Sequence, residues 1–508
     1  MQLRTFALAL TLAFTLVGCE RGGTPAKVAQ TDAIAWRQGD VDDAFAEAKE
    51  LGKPVLLYWG AEWCPPCAQM KATLFKDSAF IAETRNFVPV YLDGDTRGAQ
   101  QWSERFGISG YPTVVVLRPD RTEVTRISNT TMAAELPRLL QVAAKRTTSI
   151  EALLHKAAAD TASLSADDWR ILAGFDWRND PKHFSDLAKA GTLLDRLAEA
   201  APDPALKRRF ELLSLVETVQ PDGQGRVVLT SAHEARLGEI LRPILANRYE
   251  IMANRWELIS DVPNFVAGLP AGPEREALSR SLSAAADAIF ANESLALTER
   301  LNALNVDLTF ALASGKPPPP TLVRKIRERV AWADDTAKDK ISRQSVIGSA
   351  AGLLSYVDPA AAKKLLLAEL NRSDQPYYYM SLLATAAEFE GDKAGAIEWY
   401  RKAYESSEGP ATRVDWAVKY ASAVLRLAPD DKAAVARSAE AVIAELGKSP
   451  DNYYQNTRKK VAGLGDKLRE WSKAHSGGSL LSRLQTQMAG VCARQGEQAA
   501  ACSNWAKA

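Results

Sequence analysis

Two cysteines separated by two prolines, Cys64-Pro65-Pro66-Cys67, are the pair whose types and spacing most directly support chemistry. A CxxC pair either exchanges a disulfide or supplies half of a metal site. The metal reading lacks ligands, because no second CxxC exists and His155, His183, His233 and His475 are scattered. Disulfide exchange needs a thiolate. Lowering a cysteine pKa from about 8.5 to about 7 takes only roughly 2 kcal/mol of differential stabilisation. A helix N-terminus supplies that through its unsatisfied N–H groups and positive dipole end.

The flanking residues provide such a terminus. Lys53-Pro54-Val55-Leu56-Leu57-Tyr58-Trp59 is an apolar run that suits a central strand covered on both faces. Ala68-Gln69-Met70-Lys71-Ala72-Thr73-Leu74-Phe75 reads as a helix, with Cys64 in the N-cap position and Pro65 in the first turn. Cys64 is then the exposed nucleophile, and Cys67, one turn on and deeper, resolves the mixed disulfide.

With Trp63 preceding it, this stretch resembles the thioredoxin superfamily. Phe87-Val88-Pro89-Val90-Tyr91-Leu92-Asp93 is similar to the family's next strand, and Tyr111-Pro112-Thr113 leads into Val114-Val115-Val116-Leu117. The resemblance implies a cis peptide at Pro112, with Trp63, Tyr111, Pro112 and Thr113 binding the substrate backbone beside Cys64. It covers roughly residues 33–147 and implies an α/β domain with a mixed central sheet flanked by helices. The chain also departs from the family. The buried Asp six residues before the first cysteine is Tyr58 here, and its lysine partner falls at Pro89. Glu62, near the surface, does match. These departures bear on the proton route to Cys67 and leave the nucleophile untouched. The Pro-Pro dipeptide occurs in tryparedoxin- and nucleoredoxin-like reductants, and the Gly52-Lys53-Pro54 entry resembles the periplasmic reductase branch.

Ahead of this domain, Arg4 and the uncharged run Phe6–Val17 form a targeting segment, too short for an ordinary transmembrane helix. Leu16-Val17-Gly18-Cys19 resembles a bacterial lipobox. It makes residues 1–18 a lipoprotein signal peptide, Cys19 the lipidated residue and residues 19–32 a tether. The alternative is an ordinary secretory peptide. With 63 Lys and Arg against 62 Asp and Glu, a formal net charge of +1 leaves no basic field for nucleic acid.

Within the domain, Trp36 is expected on a short first strand. Asp40 should cap a helix whose buried face is Val41, Phe45, Ala48 and Leu51, ended by Gly52. Pro119–Thr122 should turn one strand into the next as a hairpin, and a last helix is expected over 131–144. From about Ser149 the pattern becomes helical, as in Leu297, Leu301, Leu304, Leu308 and Leu312. Breaks fall at Pro221–Gly225, at Gly268–Pro273 and at the four prolines 317–320. The last divides helical regions 148–316 and 321–508, or is a tight loop within one solenoid. Ala362, Leu366 and Glu369 precede Ala396, Tyr400 and Ala403 at the spacing of tetratricopeptide repeats, although Glu369 departs from the pattern. Residues 345–450 are therefore expected to be a tetratricopeptide-like α-solenoid. Tyr377-Tyr378-Tyr379 is core or a binding face. In the tail, Cys492 and Cys502 either close a small loop as a structural disulfide or remain unpaired thiols.

The expected function is that of a lipid-anchored, periplasm-facing thiol–disulfide oxidoreductase, a reductant of protein disulfides in the first reading and an oxidant in the alternative. It uses the redox-active pair Cys64–Cys67 and neither metal nor cofactor. Disulfide-containing envelope proteins and an upstream thiol electron donor are its implied partners, with the helical array recruiting them. The alternative is an envelope scaffold or chaperone whose thioredoxin-like domain only docks.

Overall fold

The computed structural model describes residues 33–508, apart from residues 38–40, 97, 109, 128–135, 147, 179, 181–186, 220–226, 449–452, 504 and 506–508. Cys19, Asp40, His183 and Pro221–Gly225 therefore lie outside the described residues.

A four-stranded sheet carries the cysteine pair. Strands β1 (Val55–Gly60), β2 (Val88–Asp93), β3 (Thr113–Leu117) and β4 (Glu123–Ile127) are arranged β2-β1-β3-β4. The β1–β2 pair is parallel, and β1–β3 and β3–β4 are antiparallel. Every residue of β1 is buried, which accounts for its unbroken apolar run. Leu57 and Trp59 pack on one side with Val41 and Phe45 of helix α1 (Val41–Leu51). Leu56 and Tyr58 pack on the other with Met70 of helix α2 (Pro65–Ala72) and Phe80 of helix α3 (Ser78–Thr84). Helices α4 (Ala99–Arg105) and α5 (Leu136–Lys145) complete this region.

Three local expectations are corrected. Trp36 is not on a strand; Arg37 makes only an isolated bridge to Val90. The next rung would need an N–H from residue 89, which is a proline. Leu51 is 51% exposed, so the buried face of α1 is Val41, Ala44, Phe45 and Ala48. The leucines at 297–312 span two helices, Leu297–Asn302 and Leu304–Ala313, with Leu312 exposed.

Beyond residue 149 the described residues contain helices and no named strand. The first of these helices share their core with the sheet. Ile150, Leu153, Trp169, Leu194 and Phe210 belong to the same apolar cluster as Tyr58, Val124 and Leu140. A buried ion pair adds to this seam. Arg126 on β4 lies 2.6 Å from Glu123 and 3.9 Å from Asp180. Further on, Leu304 and Leu308 pack in one cluster with Leu322 and Ile326, so the core continues across the four prolines. Glu369, which broke the repeat pattern, is buried against the Arg343 guanidinium at 2.5 Å, so its charge is paired in the interior. Tyr377 and Tyr379 are buried.

Candidate functional site

Cys64 is the N-cap of α2, with extended backbone angles (φ −82°, ψ 113°) and Pro65 opening the helix. Its Sγ accepts a hydrogen bond from the Cys67 backbone N–H at 3.2 Å, one of the donors a helix start leaves unsatisfied. The two sulfurs are joined as a disulfide, with the Cα atoms 5.2 Å apart. Ala61, Trp63 and Tyr111 pack around the pair. The Tyr111–Pro112 peptide is cis and leads directly into β3. Thr113 is buried, and its hydroxyl donates to the Gly110 carbonyl at 2.9 Å.

Behind the cysteines, the position expected to hold a buried acid is filled by the fully buried Tyr58. Its phenol leans over Gly60, where an added Cβ would lie 2.6 Å from the hydroxyl oxygen. Burial pushes this phenol well above the usual tyrosine range, and the Glu62 and Asp93 carboxylates push the same way. The Tyr91 hydroxyl donates to Glu62 at 3.2 Å, and Lys71 pairs with the same carboxylate at 2.8 Å. The exposed Glu62 is thus held at the edge of the motif. At the end of β2, opposite Gly60, stands Asp93. One of its oxygens accepts from the Asp95 N–H at 2.8 Å, while Oδ2 is buried without a hydrogen bond. Desolvation, only partly offset by that bond, pushes its carboxyl up to about 6. Sequence reasoning gave Asp93 no role, although it closes the strand quoted above.

The largest departure from expectation is what lies over the pair. Cys64 is only 3% exposed and Cys67 is fully buried. The expected exposed nucleophile is buried: Ala61, Trp63 and Tyr111 pack around it, and the helical array packs in turn on Trp63 and on α2. Helix Lys340–Ser355 packs on α2, and Gln344 donates to the Glu62 carbonyl. The Trp63 indole N–H donates to the Thr412 hydroxyl at 2.8 Å. Thr412 in turn donates its backbone N–H to Asp95 at 2.8 Å and its hydroxyl to the other Asp95 oxygen. Burial raises the Asp95 carboxyl, and the Thr412 bonds oppose that rise. Trp416 meets Trp63 edge to face at 6.3 Å, and Tyr377 backs Trp416 at 5.4 Å. Gly409 makes room for this contact. It has φ +86°, and a Cβ there would lie 2.4 Å from the Asp95 Cγ. Arg458 and Glu104 add an ion pair at 2.9 Å.

Cys492 and Cys502 are also joined by a disulfide, fully buried and within a cluster of Leu484, Met488 and Trp505.

A parallel-antiparallel mixed sheet, a CxxC disulfide at the start of the helix after its central strand and a cis-proline entering the neighbouring strand define a thioredoxin-like α/β domain. In this chain a large all-helical region follows that domain. Comparison with known proteins agrees for the first part, since residues 35–119 match the family described as thioredoxin-like. The Thiol:disulfide interchange protein DsbD 1 of Pseudomonas aeruginosa is 31% identical over 110 residues. That match takes in 21% of this chain and 19% of the relative's own length. The solution structure of a thioredoxin from Thermus thermophilus is similar at 28% identity, covering 21% of this chain and 86% of that one, with a TM-score of 0.20. Among the described residues, no helix is long and apolar enough to cross a membrane.

Proposed function

We propose that the chain is a thiol–disulfide oxidoreductase of the bacterial envelope, anchored through Cys19 and reducing protein disulfides. The observation that carries the redox reading is the Cys64–Cys67 disulfide on the first turn of α2, its outer sulfur accepting a helix-start N–H. In the reduced protein the same N–H and the helix dipole favour the Cys64 thiolate. That thiolate attacks a substrate disulfide, forming a Cys64–substrate bond and releasing one substrate thiolate. Cys67, deprotonated, then attacks Cys64 Sγ, releasing the second thiolate and restoring the internal disulfide. Two electrons and two protons pass to the substrate, and an upstream dithiol returns them. Tyr111, Pro112 and Thr113 line the path to Cys64, with Trp63 as its outer wall.

The helical array holds the partner. Its repeat character is supported by spacing: Pro359 and Lys393 open equivalent helices, as do Pro376 and Pro410, each pair 34 residues apart. Buried Ala362 and Ala396 repeat at that interval.

Dithiothreitol-driven reduction of insulin tests the reading. The full chain should accelerate it, and Cys64→Ser should abolish the acceleration. A second reading, an envelope scaffold with a docking thioredoxin-like module, is favoured by the cover over Cys64 and by Tyr58. No acceleration above dithiothreitol alone would leave that one standing. The anchor is checked separately: Cys19→Ala should leave the membrane fraction, and retention after a salt wash would remove the lipid from the proposal.

A further inference from the structure

A groove of about 880 Å³ lies between helices Pro410–Leu427 and Gln455–Ala474. Its wall carries Lys419, Arg426, Lys459, Lys460 and Lys467, against the carboxylates of Asp415 and Glu470. Three of the cations are already engaged or shared. Lys460 pairs with Asp415 at 2.6 Å, Arg426 with Glu388, and Lys419 lies 3.9 Å from Asp415. Lys459 and Lys467 are exposed and have no carboxylate among their ion pairs, Lys467 meeting only the Ser422 hydroxyl at 3.3 Å. Val418, Ala423 and Trp471 contribute apolar wall between the charges.

One lining residue of the groove, Lys419, approaches the redox motif. Lys419 Nζ lies 3.8 Å from the Trp416 ring centroid and 5.7 Å from that of Trp63, so a cation in the groove wall rests on Trp416 and reaches the ring of the tryptophan next to Cys64. From Lys460 to His475 the helix runs roughly 22 Å at 1.5 Å per residue. That length accommodates about seven extended residues.

We propose that this groove docks an acidic, extended segment of a polypeptide partner, leading it to the Trp63 edge of the cysteine pair. The unpaired lysines supply the charge complementarity, and the apolar strip takes alternate side chains of the segment. Cations confined to one helix-lined groove of about 880 Å³, with apolar residues between them, favour a peptide over a duplex or a bilayer, whose charge is spread over a wider face. The proposal rests on the oxidoreductase reading only in making the ligand a redox partner.

The test uses the full chain with its disulfides intact and fluorescent, cysteine-free twelve-residue peptides, one rich in Glu and Asp, one neutral and one basic. Anisotropy should show the acidic peptide binding tightest, and less tightly as salt rises. Lys459→Glu with Lys467→Glu should weaken it about tenfold or more, and the Gln pair should weaken it less. Lys473→Glu, an exposed lysine of the same helix outside the groove, should leave binding as it was. Equal binding of acidic and neutral peptides, or indifference to the Lys459/Lys467 pair, overturns the proposal. So does displacement of the peptide by an oligonucleotide or an anionic vesicle whose own tighter binding needs those lysines. Because no cysteine chemistry enters the measurement, its failure is distinct from a failure of insulin reduction.

Discussion

The chain makes the same covalent bond in two regions and sets it in two different surroundings. Cys64–Cys67 closes across the first turn of a helix, held by a backbone N–H and flanked by groups contributed from elsewhere. Cys492–Cys502 closes between two helices inside an apolar cluster. Both pairs are buried, so burial does not separate reactive from structural sulfur. What differs is the cover: hydrogen bonds together with an aromatic cluster of Trp416 and Tyr377 over the first, a packed hydrocarbon core around the second. The hydrogen bonds of the first cover can be exchanged for bonds to water or to a partner, whereas the core around the second cannot open without unfolding.

The sharpest way to break this comparison is to remove one sulfur from each pair. Cys67→Ser should accumulate Cys64-linked adducts in envelope extracts, visible on non-reducing gels and collapsed by dithiothreitol. Cys502→Ser should trap nothing and instead lower stability by roughly 3 kcal/mol in the chain-entropy model, read by denaturant unfolding. Adducts from the tail variant, or none from Cys67→Ser, would erase the distinction.

A smaller effect is expected from the cover. Thr412→Val removes the hydroxyl that joins Trp63 to Asp95. It should cost about 1–2 kcal/mol and let a thiol reagent reach reduced Cys64 several-fold faster. Unchanged alkylation would mean that Thr412 plays no part in closing the site.

The smallest concerns Asp93. Its folded pKa is raised to about 6, so its contribution to stability is fully present below the unfolded value near 3.9 and lost as pH rises through 6. Asp93→Asn should therefore stabilise the protein by roughly 1 kcal/mol at pH 7.5, allowing for screening of a group that is not fully buried, and by nothing near pH 4. Equal melting-temperature shifts at both pH values would refute this sign.

What was legible in the sequence follows how local the determinant is. Strand β1, the helix behind Cys64 and the hairpin Val114–Ile127 are written in neighbouring residues, and each is found. The Trp36 strand was misread because a proline on the partner strand decides it. The cover on Cys64 could not be read at all: Trp63 and Thr412 are 349 residues apart, and neither carries a pattern pointing to the other. Asp93 was visible as a carboxyl ending a strand. Its unusual state depends on packing around Oδ2, which no spacing encodes. Glu369 shows the converse, an apparent fault in a repeat that is an ion-paired residue of the interior.

The seam between sheet and helices has a consequence for how the molecule comes apart. Val124 and Leu140 share one apolar cluster with Ile150, Trp169 and Phe210, and Arg126 lies within 3.9 Å of Asp180. A fragment ending near residue 147 would bare that face and strip a buried guanidinium of the Asp176 and Asp180 carboxylates, leaving it only Glu123. The segment that defines the chemistry is therefore shorter than the segment that melts cooperatively. Transplanting the cysteine motif into another protein would have to carry helices that never touch a sulfur.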